Sequence, residues 1–564
     1  MKTGLTPQLF KDLKGYDKKT FLNDLTAGII VGVVALPLAI AFGIASGVSP
    51  TEGLITAIIG GFLVSFLGGS KVQIGGPTGA FIVIVYGIIQ KHGIDGLALA
   101  TIMAGVMLVL LGVLRLGSLI KFVPYPIIVG FTAGIAITIF TTQVKDLFGL
   151  QVEDLPGDFI GKWGAYLDAF GSMSWMALLF GLLAIVIIIL IPKINKSLPS
   201  TLIALVVLTI VSVVMEQLGL MRPENIGDRY TIEAGLPGIV MPVVTIERLQ
   251  VLFPSAFTIA MLGAIESLLS ASVADGVIGA KSDSNVELVG QGVANIVVPF
   301  FGGIPVTGAI ARTMTNINSK GRTPIAGIIH AVVLLLILLV LSPLTAHIPM
   351  AVLAGVLVVV SYNMSGWRSF LAIFKGPWGD SLVMLITFLL TVLIDLTVAI
   401  GIGMVLAILI LLKRVLDASD ISLMDGQSNH PEEPKFNLPK CIEVYEIEGP
   451  FFFGIANRFD ETMRAMSDNP RARIIRMRNV PFVDSTAIHN LKTMIKLHEE
   501  AHTRMILSGV QPKVLETLQA SGITQMLGEE NVTPHINKAQ ERALQFLESD
   551  YPEDYDKWMK YADR

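Results

Sequence analysis

The chain has 564 residues, 52% hydrophobic and 15% charged, with a formal net charge of −4 and a mean hydropathy of +0.68. A soluble chain carries about 25% charged residues, so most of this one is expected in a bilayer, and with no basic tract it has no footing for a nucleic acid. The lone cysteine, Cys441, excludes an internal disulfide and a multi-cysteine metal site; it reads as a small buried apolar residue.

Residues 1–20 form a polar segment with Lys11, Lys14, Lys18 and Lys19. Many apolar runs follow it, so it leads into a first span and is not a cleaved signal peptide. About fourteen apolar segments follow within 21–415, starting near Leu25, Gly53, Pro77, Leu97, Phe122, Trp175, Thr201, Ala256, Leu288, Val306, Pro324, Met350, Ser381 and Val398. Those near Pro77, Val306 and Met350 are too short to cross alone. With the N-terminus inside, the inner loops hold Lys71, Arg115, Lys121, Lys193, Lys196, Lys281, Lys320, Arg322, Arg368, Lys375, Lys413 and Arg414. The outer loops hold Asp146, Glu153, Asp154, Asp158, Asp168, Glu224, Asp228, Glu233 and Glu247. This is the positive-inside pattern, and an even count returns the C-terminal part to the cytoplasm.

Two glycine-rich breaks interrupt the apolar runs: GGPTGAF, from Gly75, and GGIPVTGAI, from Gly302. Thr78-Gly79-Ala80 recurs as Thr307-Gly308-Ala309 at an offset of 229 residues, which also pairs Gly47-Val48 with Gly276-Val277. We read two repeats, about 20–222 and 248–414. Seven spans in each would insert the second copy upside down, the plan of many secondary transporters. Val72-Gln73-Ile74 and the stretch from Val297 to Phe301 are expected to run extended, each leading to a short helix that starts at mid-depth. Two helix N-termini would then face each other, and such termini attract anions. The alternative is a pair of glycine-rich packing contacts.

Four charged residues lie in or near apolar runs: Glu266, Asp275, Arg312 and Asp395. Arg312 follows the second motif by one turn of a half-helix starting near Thr307 and offers a forked donor to an oxyanion, or a partner to Glu266. Glu266 aligns with Pro37 at the repeat offset. It could hold a proton, coordinate sodium with Ser270 one turn on, or be a neutral structural carboxyl. Asp275 reads as a cap or a gating residue, and Asp395 as a helix start.

After a polar linker, 416–440, the pattern alternates. CIEVYEIEG, ARIIRMRNV and MILSGV read as strands. Ala456–Ser467, Thr486–His502 and Pro512–Ala520 read as helices. This is a small α/β domain at 441–550, followed by a polar tail at 551–564. Asp484-Ser485-Thr486 sits between strand and helix, where it caps; Ser485 is a candidate phosphosite.

LTAGIIVGVVALPLAIAFGIASG, QIGGPTGAF, FVPYPIIVGFTAGIAI, AIESLLSASVADG and GGIPVTGAIARTMTNINSKGRTPIAGIIHA resemble the SulP anion transporters, or sulfate permeases. The C-terminal part resembles a STAS domain. The resemblance spans about 20–550 and implies a polytopic α-helical membrane protein. Its fold would be a seven-plus-seven inverted repeat of uracil-permease type, with core and gate subdomains, plus an α/β STAS domain. It implies an anion held by Pro77, Thr78, Gly79, Ala80, Thr307, Gly308, Ala309, Ile310 and Arg312, with Glu266 as coupling residue, elevator-type motion and a homodimer. The STAS phosphosite pattern ends in glycine, whereas Ala487 stands here.

The reading is a secondary active transporter of sulfate, bicarbonate or a C4-dicarboxylate in a bacterial inner membrane. Proton coupling is favoured over sodium coupling or anion exchange, with no cofactor and no metal beyond sodium near Glu266. A nucleobase symporter and a membrane-anchored STAS signalling protein are the alternatives. No nucleophile–base set supports an enzyme.

Overall fold

Helices form where the apolar runs are long and end where glycine, proline or charge intervenes. The computed structural model describes residues 5–118, 123–152, 155–195, 198–230, 235, 238–239, 241–394, 396–423, 438–455 and 470–562. Lys121, Phe122, Glu153, Asp154, Lys196, Glu233, Asp395, most of the linker and the expected helix Ala456–Ser467 lie outside the described residues. The chain divides into two compact units, Met1–Ala407 and Ile408–Arg564.

The first unit begins with α1 (Gln8–Asp12) and α2 (Lys18–Ala45). A bent helix follows, α3 (Pro50–Ile55) passing through a π turn at Thr56–Gly60 into α4 (Gly61–Leu67). After β1 (Gly75–Gly76), a 3-10 turn at Gly79–Phe81 opens α5 (Ile82–Val113). Then come α6 (Tyr125–Phe148), α7 (Phe159–Asp168), α8 (Trp175–Ile194), α9 (Ser200–Gln217) and α10 (Ile226–Arg229). The second half holds α11 (Ile246–Ile278), α12 (Ser284–Val297), β2 (Thr307–Gly308), α13 (Ile310–Asn318), α14 (Ile325–Thr345), α15 (Met350–Met364), α16 (Trp367–Ile373), α17 (Trp378–Leu393) and α18 (Leu396–Asp417).

Among the described residues nine helices are long and apolar enough to cross a membrane. One of them, 79–113, breaks at Gly93, whose φ of +70° no helix tolerates. Splitting it there and adding α12, α13, α14 and α17 gives the fourteen segments read from the sequence. They form the seven-plus-seven inverted repeat of the uracil-permease type.

Two groups of helices share this unit. α5 packs on α11 and α12, and α2 and α4 pack on α14; these make the core. α6 packs on α15 and α17, and α8 on α9 and α15; these make the gate. In the core, α5 and α12 cross at Gly105 and Gly292, where a Cβ on either would lie 2.6 Å from the other's carbonyl oxygen. Only glycine permits that approach.

The loops sort as the charges suggest. Gln8 N donates to Gly68 O at 2.9 Å, and Lys71 pairs with Asp12 at 3.5 Å. Asp24 accepts from Arg322 N at 2.8 Å and from Thr323 Oγ1 at 2.5 Å. The N-terminus, Lys71 and Arg322 therefore share one face. Asp146 and Glu224 meet at Arg229, at 2.8 and 2.5 Å.

The second unit is a five-stranded sheet in the order β3 (Asp420–Leu423), β4 (Ile442–Glu448), β5 (Ala472–Asn479), β6 (Arg504–Ser508), β7 (Val532–Thr533). β3 is antiparallel to β4 and the rest are parallel. Its helices are α19 (Ser485–Glu500), α20 (Pro512–Ala520), α21 (Ile523–Leu527), α22 (Ile536–Asp550) and α23 (Pro552–Ala562). Two features depart from the sequence reading. The expected linker contains an edge strand, and the expected tail is a helix whose Tyr555 and Trp558 pack beside Phe546 and Leu547. Cys441 is half-buried at the edge of the same cluster.

Candidate functional site

Two stretches of non-helical backbone enter the core of the first unit. β1 and β2 pair antiparallel there, Gly75 opposite Gly308 and Gly76 opposite Thr307. The two half-helices start from this pairing and run apart. Extended backbone was expected from Val297 to Phe301. Instead α12 runs to Val297 and a 3-10 turn, Val298–Phe301, continues it. Pro299 suits the first turn of a helix, where its missing N–H costs nothing. The non-helical segment is 303–309, with β2 inside it.

The second half-helix also starts later than expected, at Ile310, with Ala309 as its N-cap. In the first copy Thr78 is the N-cap. The shared Thr-Gly-Ala tripeptides are thus displaced by two residues in structural terms. Thr307 shows why: its hydroxyl lies in β2 and is taken up by α11, donating to Gly263 O at 3.1 Å and meeting Ser267 Oγ at 2.6 Å.

Backbone polar groups at this depth need protein partners, and the neighbouring helices supply them. Asn295 clamps Val306, accepting from its N at 2.9 Å and donating to its O at 2.8 Å. Ile304 N donates to Thr56 Oγ1 at 2.8 Å, and Gly308 N to Ser267 Oγ at 3.1 Å. Ala309 N donates to Ile74 O at 2.9 Å, and Ile74 N to Thr313 Oγ1 at 3.1 Å. The N-caps Thr78 and Ala309 form no side-chain capping bond. Among the described residues, neither N-cap side chain therefore covers the first N–H groups of its half-helix.

Arg312 is 2% exposed. Its Nη2 donates to Pro77 O at 3.1 Å, stitching the second half-helix to the start of the first. Its Nη1 has no hydrogen-bond partner among the described residues. The guanidinium occupies the room a side chain at Gly76 would take. A cavity of about 420 Å³ reaches Arg312 between core and gate, lined also by Leu38, Pro192, Thr201, Thr315 and Asn363.

Glu266 accepts from Thr78 Oγ1 at 3.0 Å. Glu266 and Arg312 therefore both engage the first broken segment, and among the described residues no ion pair joins them. Ser270, one helical turn on from Glu266, donates to Thr313 Oγ1 at 3.5 Å. Gly79 faces the gate: a Cβ there would lie 3.0 Å from Met364 Sδ, 3.1 Å from Ile139 Cδ1 and 3.5 Å from Phe42 Cε1. Ala80 and Ala309 are buried, while Ile310 is 40% exposed.

Asp275 holds the α11–α12 turn, accepting from Ser282 N at 2.6 Å and Oγ at 2.8 Å. In the second unit Asp484 caps α19, accepting from Ala487 N at 2.8 Å, and Ser485 is exposed at its first position.

Several residues escaped the sequence reading. Glu287 is 1% exposed and accepts from Gly69 N at 2.8 Å, Ser70 N at 3.0 Å, Gln73 Nε2 at 2.7 Å and Gln291 Nε2 at 3.1 Å. It lies in the first turn of α12, where an acid looks like an ordinary helix start. Ser267, Ile139 and Met364 gave no signal beyond their place in apolar helices.

Residues 21–387 match the family model described as "Sulfate permease family", and residues 437–539 match the STAS domain. The chain is 41% identical to "Putative sulfate transporter YvdB" of Bacillus subtilis, covering 93% of this chain and 98% of that one. It is 33% identical to "Bicarbonate transporter BicA" of Picosynechococcus, covering 84% and 86%. Among solved structures, the transmembrane domain of a cyanobacterial BicA superposes with a TM-score of 0.62 at 34% identity, covering 68% of this chain and 98% of that one. The murine Slc26a9 anion transporter in the inward-facing state gives 0.86 at 19% identity, covering 96% and 94%, a likeness of fold.

Proposed function

The chain belongs to the sulfate permease family, and from that premise we propose that it is a secondary active transporter of a small oxyanion, sulfate, bicarbonate or a C4-dicarboxylate. The observation that carries this is the meeting of the two half-helix starts at the β1–β2 pair, with the Arg312 guanidinium against both. Helix N-termini and a buried arginine favour an anion, and they recognise oxyanions in general. The anion binds at Thr78, Gly79, Ala80, Ala309 and Ile310, close to Arg312. Pro77, Thr307 and Gly308 shape the backbone around it.

Glu266 is the coupling residue. It takes a proton in the favoured reading. In the alternative it binds sodium with the Thr78 hydroxyl, a role that suits a bicarbonate substrate. The N-terminus and the STAS domain face the cytoplasm of a bacterial inner membrane. The cavity at Arg312 is then the inward vestibule, and the core moves against the gate as an elevator. The protein acts as a homodimer, and STAS binding partners, or phosphate at Ser485, regulate it. Names among the relatives point to both sulfate and bicarbonate.

The test is uptake of radiolabelled sulfate, bicarbonate and fumarate into proteoliposomes under an imposed pH or sodium gradient. Accumulation of one anion under one gradient is expected. No gradient-driven uptake of any of the three would overturn coupled transport of these substrates.

A further inference from the structure

One buried cation in the first unit belongs to no site described so far. Lys162 lies on α7, which packs on α6 and α17 of the gate. Its residue is 3% exposed. Its ammonium sits 4.7 Å from the centre of the Tyr86 ring, on the first half of α5 and hence on the core. Among the described residues no carboxylate lies within ion-pair distance of it. Asp158, one turn back, caps α7 by accepting from Gly161 N at 2.7 Å.

The ring is held in place. Gly47, at φ +84°, presses on it: a Cβ there would lie 3.2 Å from Tyr86 Cδ2. Tyr166, one turn beyond Lys162, is 2% exposed, and its hydroxyl has no hydrogen-bond partner among the described residues. Two polar heads are thus buried side by side on α7, with the carboxylates of Asp158 and Asp146 in their surroundings but, among the described residues, neither bonded to them. A buried charge is costly unless compensated, and an aromatic face compensates only in part. An ammonium held by a neutral ring, unlike one held by a carboxylate, stays available to an anion.

The position matters as much as the chemistry. Tyr86 lies about two turns beyond Gly79, or roughly 10 Å along the first half-helix. The cavity at Arg312 follows the second half-helix, which runs the other way. Lys162 and Tyr86 therefore close the face opposite the vestibule, and they join gate to core there.

We propose that Lys162 is the cation of the outer gate: it locks on the Tyr86 ring while the site is open to the cytoplasm, and contacts the incoming oxyanion when the lock opens. This rests on the transport reading above. The test combines two readouts in the full-length protein. Cys441→Ala removes the native thiol, and Val48→Cys places one beside Gly47 for an impermeant maleimide added outside. Lys162→Gln is expected to raise the labelling rate at least about five-fold and to raise KM for external anion about ten-fold, with kcat changed far less. Lys162→Arg, which keeps the cation on the ring, should label like the parent. Tyr86→Leu, a second route, should also raise labelling.

Unchanged labelling in both Lys162→Gln and Tyr86→Leu would overturn the lock. A KM unchanged in Lys162→Gln would overturn the anion contact. If the parent takes up no anion, the transport reading fails, while labelling still decides the lock.

Discussion

Thr78 Oγ1 lies 3.0 Å from Glu266 Oε2, joining the cap of the first half-helix to α11. A hydroxyl donates to a carboxylate and can accept from a carboxylic acid. The charge on Glu266 is therefore felt at the helix start proposed to face the anion. Glu266→Gln imposes the neutral state permanently. Gradient-driven accumulation should be abolished, while anion binding stays within a few-fold of the parent. Proteoliposome uptake and equilibrium binding measure the two separately. Loss of both together would place Glu266 in the anion site and remove its coupling role.

Arg312 links the second half-helix to the start of the first, through Pro77 O. A charge-assisted hydrogen bond is worth about 1.5–3 kcal/mol, or roughly a ten- to hundred-fold change in affinity. Arg312→Gln should weaken anion binding by that factor, measured by competition with labelled anion. Arg312→Lys should recover only part of it, because an ammonium lacks the fork. Equal affinities in all three proteins would remove the arginine from the site.

The fourteen segments were legible because a bilayer demands long apolar runs, and the two breaks because glycine and proline interrupt them. Arg312 and Glu266 were legible as charges in apolar surroundings. The start of the second half-helix was not. Two copies of Thr-Gly-Ala suggested equivalent positions, yet Thr307 is held in β2 by Ser267 and Gly263. Those contacts span 40 and 44 positions and leave no local trace. Ser270, which helical spacing puts near Glu266, shows a second contact that spacing does not reveal, donating to the Thr313 hydroxyl more than forty positions away. Glu287 was hidden by its resemblance to an ordinary first-turn acid.

Gly79 leaves no room on the gate side, with Met364 Sδ at 3.0 Å and Ile139 Cδ1 at 3.1 Å from a Cβ placed there. Gly79→Ala must push the gate away or move the helix start, and overpacking of this kind costs about 1–3 kcal/mol. Transport should fall at least about ten-fold. A thioether can yield, so Gly79→Ala combined with Met364→Ala should restore much of the uptake. No recovery in the double variant would show that the methyl acts on the anion itself and not on the gate.

Glu287 gathers four donors from the segment between α4 and β1 and from α12. Glu287→Leu would leave two buried backbone N–H groups and two amides without their acceptor, at about 1–3 kcal/mol for each group. The expected loss is at least about 3 kcal/mol, large for a single substitution. It should appear as a clear fall in Tm of the detergent-purified protein. Glu287→Gln, which keeps an acceptor oxygen, should fall less. A Tm unchanged in both variants would mean that the segment between α4 and β1 does not depend on this carboxylate.

His498 ties α19 to the sheet of the second unit. Its Nε2 lies 2.9 Å from Arg473 Nη1 and its Nδ1 2.7 Å from Met494 O. A neutral ring protonated on Nδ1 satisfies both, donating to the carbonyl and accepting from the guanidinium. Burial holds the His498 pKa below its usual value, the bond to Met494 opposes this, and the Arg473 charge adds to the lowering. A lowered folded pKa means that the unfolded state binds the proton more readily. The stabilisation is thus fully present above the unfolded pKa of about 6.5 and is lost as pH falls through the folded value. The protection of amides across 494–508 against hydrogen exchange, taken relative to the intrinsic rate at each pH, should fall below pH ~6 in the full-length protein. His498→Gln, whose amide does not titrate in this range, should flatten that dependence. Equal pH dependence in parent and variant would assign the acid sensitivity to another group.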